Sequence, residues 1–391
     1  MKFAFILYKY FPFGGLQRDF IRIAKTCREM GHDIVVYTLS WEGDIPEDFD
    51  VHTHKPLAIT APARNRRFQR WVQQQLQASP VDIVIGFNKM PGLNIYYAAD
   101  TCFEHKARHL RKSWYKYTPR YRHFSTDEEA VFGRQSQTIS LLISANEKTL
   151  FQKYYQTPKQ RLHLLPPGIS RDRRRPDNAD EIRRAFREEF QLQDDEQLVL
   201  MVGSGFKTKG VDRALLALKG LPSGLRDKTR LFIVGQDDPR AFRTQAKTLG
   251  ISDQVTFFQG RDDIPRFLIG ADLLVHPAYN ENTGTVLLEA LVAGLPVLCT
   301  DVCGYAHYVT DANAGDVVPS PFQQKDINCR LKSMLISDQK TKWQKNALAF
   351  ANSADIYSMP ERAAAIIEET ARRHAKQHTP SQQTDEAGGS R

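Results

Sequence analysis

The stretch LLVHPAYNENTGTVLLEALVAGLPVLCT, residues Leu273 to Thr300, decides how this chain is read. Its apolar start, Leu273 to Pro277, predicts a buried strand, and the polar residues that follow predict a loop carrying Glu281. A helix is expected to open near Gly284, carry Glu289 and close at Gly294, before a second apolar strand at Pro296 to Thr300. Two carboxylates therefore bracket a helix N-terminus. That end of a helix favours anions, because its free amides and the aligned peptide dipoles both point positive. Carboxylates beside a phosphate are electrostatically awkward unless they reach past it to hydroxyl groups. The stretch points to a nucleoside diphosphate flanked by two polyols.

Working outward, both halves of the chain alternate strands and helices, the grammar of parallel sheets. In the first half, Phe3 to Tyr8 reads as a strand, and Gly14-Gly15 opens a helix with apolar residues Leu16, Phe20, Ile23, Ala24 and Cys27. Asp33 to Leu39, Val81 to Phe87, Thr138 to Ser144 and Leu162 to Leu165 read as further strands, and Phe68 to Leu76 as a helix. The breaker cluster Pro166-Pro167-Gly168 marks a boundary. The second half restarts at Leu198 to Val202 and runs strand, loop, helix, turn and strand from Leu231 to Arg261. The expected organisation is a domain over 1–167, a second over 168–354, a helix over 355–376, and a polar, disordered tail over 377–391.

Composition sets the limits. A chain of 391 residues, 41% hydrophobic and 25% charged, suits two or three globular domains. The net charge of +9 favours phosphate-bearing partners or an anionic surface. No apolar run reaches the ~20 residues of a membrane span, and the opening MKFAFILYKY reads as a strand and not a signal peptide. The five cysteines fit neither a disulfide framework nor a metal site, so a reducing cytoplasm is expected. No Ser-His-Asp order, metal-spaced cluster or D-x-D at a strand end stands out, so no metal or other cofactor is expected.

The E-x7-E spacing of Glu281 and Glu289, inside PAYNENTGTVLLEALVAGLPV, resembles the donor-site signature of retaining glycosyltransferases with two Rossmann-like domains. The resemblance runs over roughly the first 370 residues. It implies a GT-B α/β fold, with two Rossmann-like domains facing across a cleft and a C-terminal helix returning to the first. It implies an N-terminal acceptor domain and a C-terminal domain for a UDP-sugar donor. Glu289 would bind the ribose and Glu281 would lie near the transferred sugar, with Asn282, Thr283, Gly284 and Thr285 lining the same loop. Lys209, in the segment Lys209-Gly210-Val211-Asp212, would grip the diphosphate leaving group. Many relatives place an arginine where this chain has Ser204, which leaves Arg173 or Lys207 to supply a second cation. Gly14 and Gly15 would let backbone amides approach the phosphate, Arg261 would meet the base, and Asp19 and Asp100 would contact the acceptor. Each has an ordinary structural alternative: a tight turn, a surface arginine, a first-turn acid.

LYKYFPFGGLQRDF (Leu7 to Phe20), YTLSWEGD (Tyr37 to Asp44), GFNKMPGL (Gly86 to Leu93) and DVCGYAHY (Asp301 to Tyr308) narrow the likeness to lipopolysaccharide core glucosyltransferases. That family implies a UDP-hexose donor, usually UDP-glucose, a phosphorylated, lipid-anchored heptose acceptor, and a peripheral place on the cytoplasmic face of the inner membrane. KARHLRKSWYKYTPRYRH, Lys106 to His123, interleaves basic and aromatic residues, as a segment lying on an anionic membrane surface would. Lys106, Arg108, Arg111, Lys112, Trp114 and Lys116 are its candidate contacts. Single-stranded nucleic acid would satisfy the same chemistry, but it is not the expected partner. Asn282-Thr283 leave a UDP-N-acetylhexosamine donor open. Other readings are a transferase acting on another lipid-linked glycan, a nucleotide-sugar epimerase, and a non-enzymatic nucleotide-sugar or RNA binder.

Overall fold

The computed structural model describes residues 1–12 and 14–378. The chain forms two units: Met1–Leu165 joined by the segment from Ser358, and Pro166–Tyr357. The boundary thus falls two residues before the expected one, and the chain re-enters the first unit at Ser358. The expected tail begins inside the last helix, Met359–His378, and its remaining residues, 379–391, lie outside the described residues.

The first unit holds a parallel sheet of β1 (Lys2–Tyr10), β2 (Asp33–Trp41), β3 (Phe49–Thr53), β4 (Ile83–Gly86), β5 (Ile95–Ala98), β6 (Ile139–Leu142) and β7 (Leu162–Leu164). Its strand order is β3-β2-β1-β4-β5-β6-β7. Phe3 to Leu7 are buried on both faces, which explains why β1 reads as a continuous apolar run and not as an alternation. The second unit holds β8 (Gln197–Val202), β9 (Thr229–Val234), β10 (Val255–Phe258), β11 (Leu273–His276), β12 (Val297–Thr300) and β13 (Gly315–Val318), in the order β10-β9-β8-β11-β12-β13. Each order reverses once, between β1 and β4 and between β8 and β11. Such reversals open crevices at the carboxyl ends of the strands, where ligands of open α/β sheets bind. β3, β5 and β13 escaped the sequence reading because each is only four or five residues long.

Helix α1 (Gly15–Glu29) buries Phe20, Ile23, Ala24 and Cys27. The Met359–His378 helix packs on α1 through Ala363, Ala364, Ile367 and Ala371, all fully buried, and the alanines let the two backbones approach closely. Helix α2 (Ala61–Ala78) opens on Thr60, whose side chain accepts from the Ala63 amide, with proline in its first turn. The basic segment is ordered as α3 (Phe103–His109), a 3-10 turn at Ser113–Tyr117, and α4 (Pro119–Phe132), which opens on Thr118 in the same way. Helix α5 (Ala145–Tyr155) helps to hold it. The first amides of α3 have no cap of their own. Glu147 of α5 accepts from Cys102 at 2.6 Å, and Glu128 of α4 accepts from Phe103 at 2.7 Å. Lys89, 3.3 Å from Glu128, offsets that buried charge. Lys89 also donates to the Thr101 carbonyl at 3.0 Å.

Candidate functional site

Three strand ends and one helix build the site in the second unit. After β8 the chain passes Gly203 and a four-residue helical turn, Phe206–Lys209. Gly210 then takes a φ of 80°, and a Cβ there would stand 2.1 Å from the Pro277 carbonyl, so the turn can close only on glycine. Tyr279 donates its amide to Thr208 at 2.8 Å, and Arg213 donates to the carbonyls of Pro277 and Ala278 at 3.1 and 2.9 Å. The arginine also stacks on Tyr279, its guanidinium 3.5 Å from the ring centre. Lys209 is thereby docked on the loop that follows β11.

That loop is held from a third side. Gly304 donates to the Glu281 carbonyl at 3.2 Å and Tyr305 to that of Thr283 at 2.7 Å. A Cβ on Gly304 would sit 2.0 Å from the Asn282 carbonyl. Gly284, at a φ of 84°, then turns the chain into the helix Thr285–Ala293, which ends on Gly294, also left-handed. The opening is the one expected from sequence. Its first amides precede the bond from Leu287 to the Gly284 carbonyl and are the anion-binding end.

Lys209 Nζ bonds Glu281 Oε2. His276, at the end of β11 and 1% exposed, places Nε2 3.3 Å from the same oxygen. Burial pushes the Glu281 carboxyl up, but the hydrogen bond from His276 and the charge and hydrogen bond of Lys209 outweigh it, and the pKa falls to about 2. Glu281 is thus an anion fixed between two donors. Glu289 lies half-buried in the second turn of the helix, and Asn282, Thr283 and Thr285 border its start.

The other expected residues are placed as follows. Arg173 ends a 3-10 turn, Arg171–Arg173, beside the Thr285–Ala293 helix. Lys207 is exposed, and Ser204, at the position of the missing arginine, accepts from the Gln236 amide at 3.0 Å. Arg261 pairs with Asp263 through two bonds of 2.6 and 2.8 Å, so base contact would compete with that pair.

In the first unit Gly14 and Gly15 do open α1, and neither takes a positive φ. A Cβ on Gly14 would displace the ends of the Gln17 and Phe11 side chains, whereas a Cβ on Gly15 would meet nothing within 4 Å. Asp19 accepts a 2.7 Å bond from Tyr97. Burial raises its pKa, against Arg18 and that bond. Asp100 is exposed just beyond β5. In the basic segment Arg111, Lys112, Trp114 and Lys116 are exposed, while Lys106 is half-buried and Arg108 pairs with Glu104. His123 is buried and leaves the basic surface, because it lies beside Asp127 in the core.

His276 had no role in the sequence reading, where it passed as a strand residue. Its signal was slight: a histidine ending an apolar strand, just before Pro277. Among the described residues no group of three His, Cys, Asp or Glu forms a metal-ligand set, and no helix is long and apolar enough to cross a membrane.

The profile of the family described as Glycosyl transferases group 1 matches residues 182–350, and that of Glycosyltransferase Family 4 matches residues 13–173. The chain is 47% identical over 365 residues to the lipopolysaccharide glucosyltransferase WaaG of Escherichia coli (strain K12), covering 93% of this chain and 98% of that one. It is similar to a crystal structure of WaaG, described as a glycosyltransferase involved in lipopolysaccharide biosynthesis, with a TM-score of 0.87 over 93% of this chain and 99% of the other. A structure of Anabaena Alr3699/HepE in complex with UDP and glucose shares the fold at a TM-score of 0.72 and 20% identity, over 95% of this chain and all of the other.

Proposed function

Because this chain belongs to the glycosyltransferases of group 1 and family 4, and among them to the lipopolysaccharide glucosyltransferases, we propose that it moves glucose from UDP-glucose to an inner-core heptose, retaining anomeric configuration. The observation that carries this reading is the cluster of Lys209, Glu281 and His276 at the β8/β11 reversal, beside the N-terminus of the Thr285–Ala293 helix. It unites a cation and free amides for a diphosphate with a fixed carboxylate for sugar hydroxyls.

Lys209 and the amides after Gly284 hold the diphosphate, with Arg173 adding charge, and no metal is required. Glu289 takes the ribose hydroxyls and Arg261 the base. Glu281, with Asn282 and Thr283, holds the hexose. The bond between the anomeric carbon and the β-phosphate oxygen breaks, and its electron pair leaves on UDP. The acceptor hydroxyl enters from the same face, and its proton passes to the departing phosphate. Stabilising the charge that grows on UDP is the main catalytic work here. The first unit binds the acceptor, a phosphorylated, lipid-anchored saccharide, with Asp19 and Asp100 as contacts.

The deciding experiment is UDP release across UDP-hexoses and UDP-N-acetylhexosamines, with and without a truncated heptose-terminated acceptor. Acceptor-dependent turnover with UDP-glucose is expected. Turnover with an N-acetylhexosamine donor alone, or silence, overturns the assignment.

We further propose a peripheral position on the cytoplasmic face of the inner membrane, through Arg111, Lys112, Lys116 and Trp114, with Lys106 and Arg108 at the edge. Trp114 is 61% exposed and Tyr117 74%, beside these cations. Flotation with anionic liposomes is expected to fall sharply when Arg111 and Lys112 are neutralised. Equal binding to neutral liposomes argues against this position.

A further inference from the structure

The imidazole of His276 is held in a setting that admits one arrangement. It stands at the carboxyl end of β11, 1% exposed, between the strand and the loop it feeds. Nε2 faces Glu281 Oε2 at 3.3 Å, while Nδ1 is buried with no hydrogen-bond partner. An ionised carboxylate can only accept a hydrogen bond, so the ring nitrogen that faces it must carry a proton. The ring proton therefore belongs on Nε2, aimed at the carboxylate.

Lys209 and His276 both meet Oε2, and among the described side chains neither donates to Oε1. Lys209 is also the group expected to turn toward a diphosphate, and an ammonium on a four-carbon stem is free to do so. His276 has no such freedom, because its backbone lies in the sheet and its ring in the core.

We infer that His276 is a positioning residue: it holds Glu281 by Oε2 so that Oε1 remains presented to the donor hexose when Lys209 engages the diphosphate. The inference deepens the donor-site reading above and rests on it. It assigns the histidine to the sugar half of the donor and not to the nucleotide half. His276 touches neither the substrate nor the reacting atoms, and it acts only through Glu281.

The test compares the purified chain with His276→Phe and His276→Gln. The glutamine can place an amide N–H near the position of Nε2, whereas the phenylalanine fills the space and donates nothing. His276→Phe is expected to lower kcat/KM for the UDP-hexose about ten- to a hundredfold, the worth of a hydrogen bond to a charged group. Its affinity for UDP alone should stay within about twofold, and His276→Gln should recover most of the activity. Full activity in His276→Phe, or an equal loss of affinity for UDP alone, overturns the inference. So does a glutamine variant that matches the phenylalanine one although both melt where the parent does.

A donor-free measurement separates this failure from failure of the functional reading. The ring-nitrogen NMR spectrum should show His276 protonated at Nε2 and changed in Glu281→Gln. If the parent chain turns over no UDP-hexose, the functional reading falls, while the spectrum still decides whether the ring is bound to Glu281. A bare Nε2, with the ring proton on Nδ1 alone, overturns the positioning role in either case.

Discussion

Two buried carboxylates, one in each unit, take opposite courses. Glu281 in the second unit is driven down to about 2, whereas Asp127 on α4 in the first is pushed up to about 6. Burial raises both. The difference lies in the partners. Glu281 meets the Lys209 ammonium and the His276 ring on one oxygen. Asp127 meets the neutral Gln69 amide at 2.9 Å, with His123 3.6 Å away. His123 is itself lowered by burial and by Arg66, so it offers little charge in return. A full charge at contact overcomes desolvation, and a neutral dipole does not. The first arrangement keeps an anion ready in the candidate donor site. The second makes a buried joint between α4 and α2, on the helix that continues the basic segment.

The comparison breaks most completely at Lys209. Replacing it with alanine is expected to lower kcat/KM in the UDP-release assay by about a hundred- to a thousandfold, the range for loss of one group that stabilises developing charge. It should also raise the Glu281 pKa.

Acid sharpens the contrast. Glu281 is depressed from 4.5 to about 2, so its contribution to stability is complete above pH about 4.5 and is lost as pH falls toward 2. Asp127 is raised from 3.8 to about 6, so the fold is not penalised below pH about 4 and loses stability as pH rises toward 6. Each swing is worth about 3 kcal/mol. Denaturant titrations against pH should show that Glu281→Gln flattens the acid limb and Asp127→Asn flattens the range between pH 4 and 6. Unchanged slopes would count against the partner argument.

Two glycine turns, one in each unit, differ as well. Gly210→Ala forces a Cβ toward the Pro277 carbonyl at a positive φ, and a loss of about 2 kcal/mol is expected in thermal or denaturant unfolding. Gly15→Ala meets open space in the first turn of α1, and a change within about 0.5 kcal/mol is expected. A large loss at Gly15 would show that the two glycine turns are not different in kind.

Much of the architecture of the candidate site was legible beforehand. The strand, loop and helix around Glu281 and the glycines that bound the helix follow from local signals of apolar runs and glycine placement, whereas the Lys209 segment was marked by its family resemblance. The basic segment was legible as composition but not as shape. Its order depends on Glu128 and Glu147 capping α3 from two other helices, contacts that join residues 25 and 45 positions apart. The same limit hid the burial of His123, which reads as part of the basic surface, and the pairing of Lys89 with Glu128.

The sequence by itself determined the two parallel α/β units, the helix N-terminus between Glu281 and Glu289, and the kinship of the chain, because periodicity and spacing are properties of neighbouring residues. Only the tertiary structure decided that Lys209 and His276, 72 and 5 residues from Glu281, converge on one carboxylate oxygen, that Gly14 and Gly15 open a helix without positive φ, and that Asp127 carries a raised pKa. Burial and partner charge are set by what the fold brings together, and no local pattern encodes them.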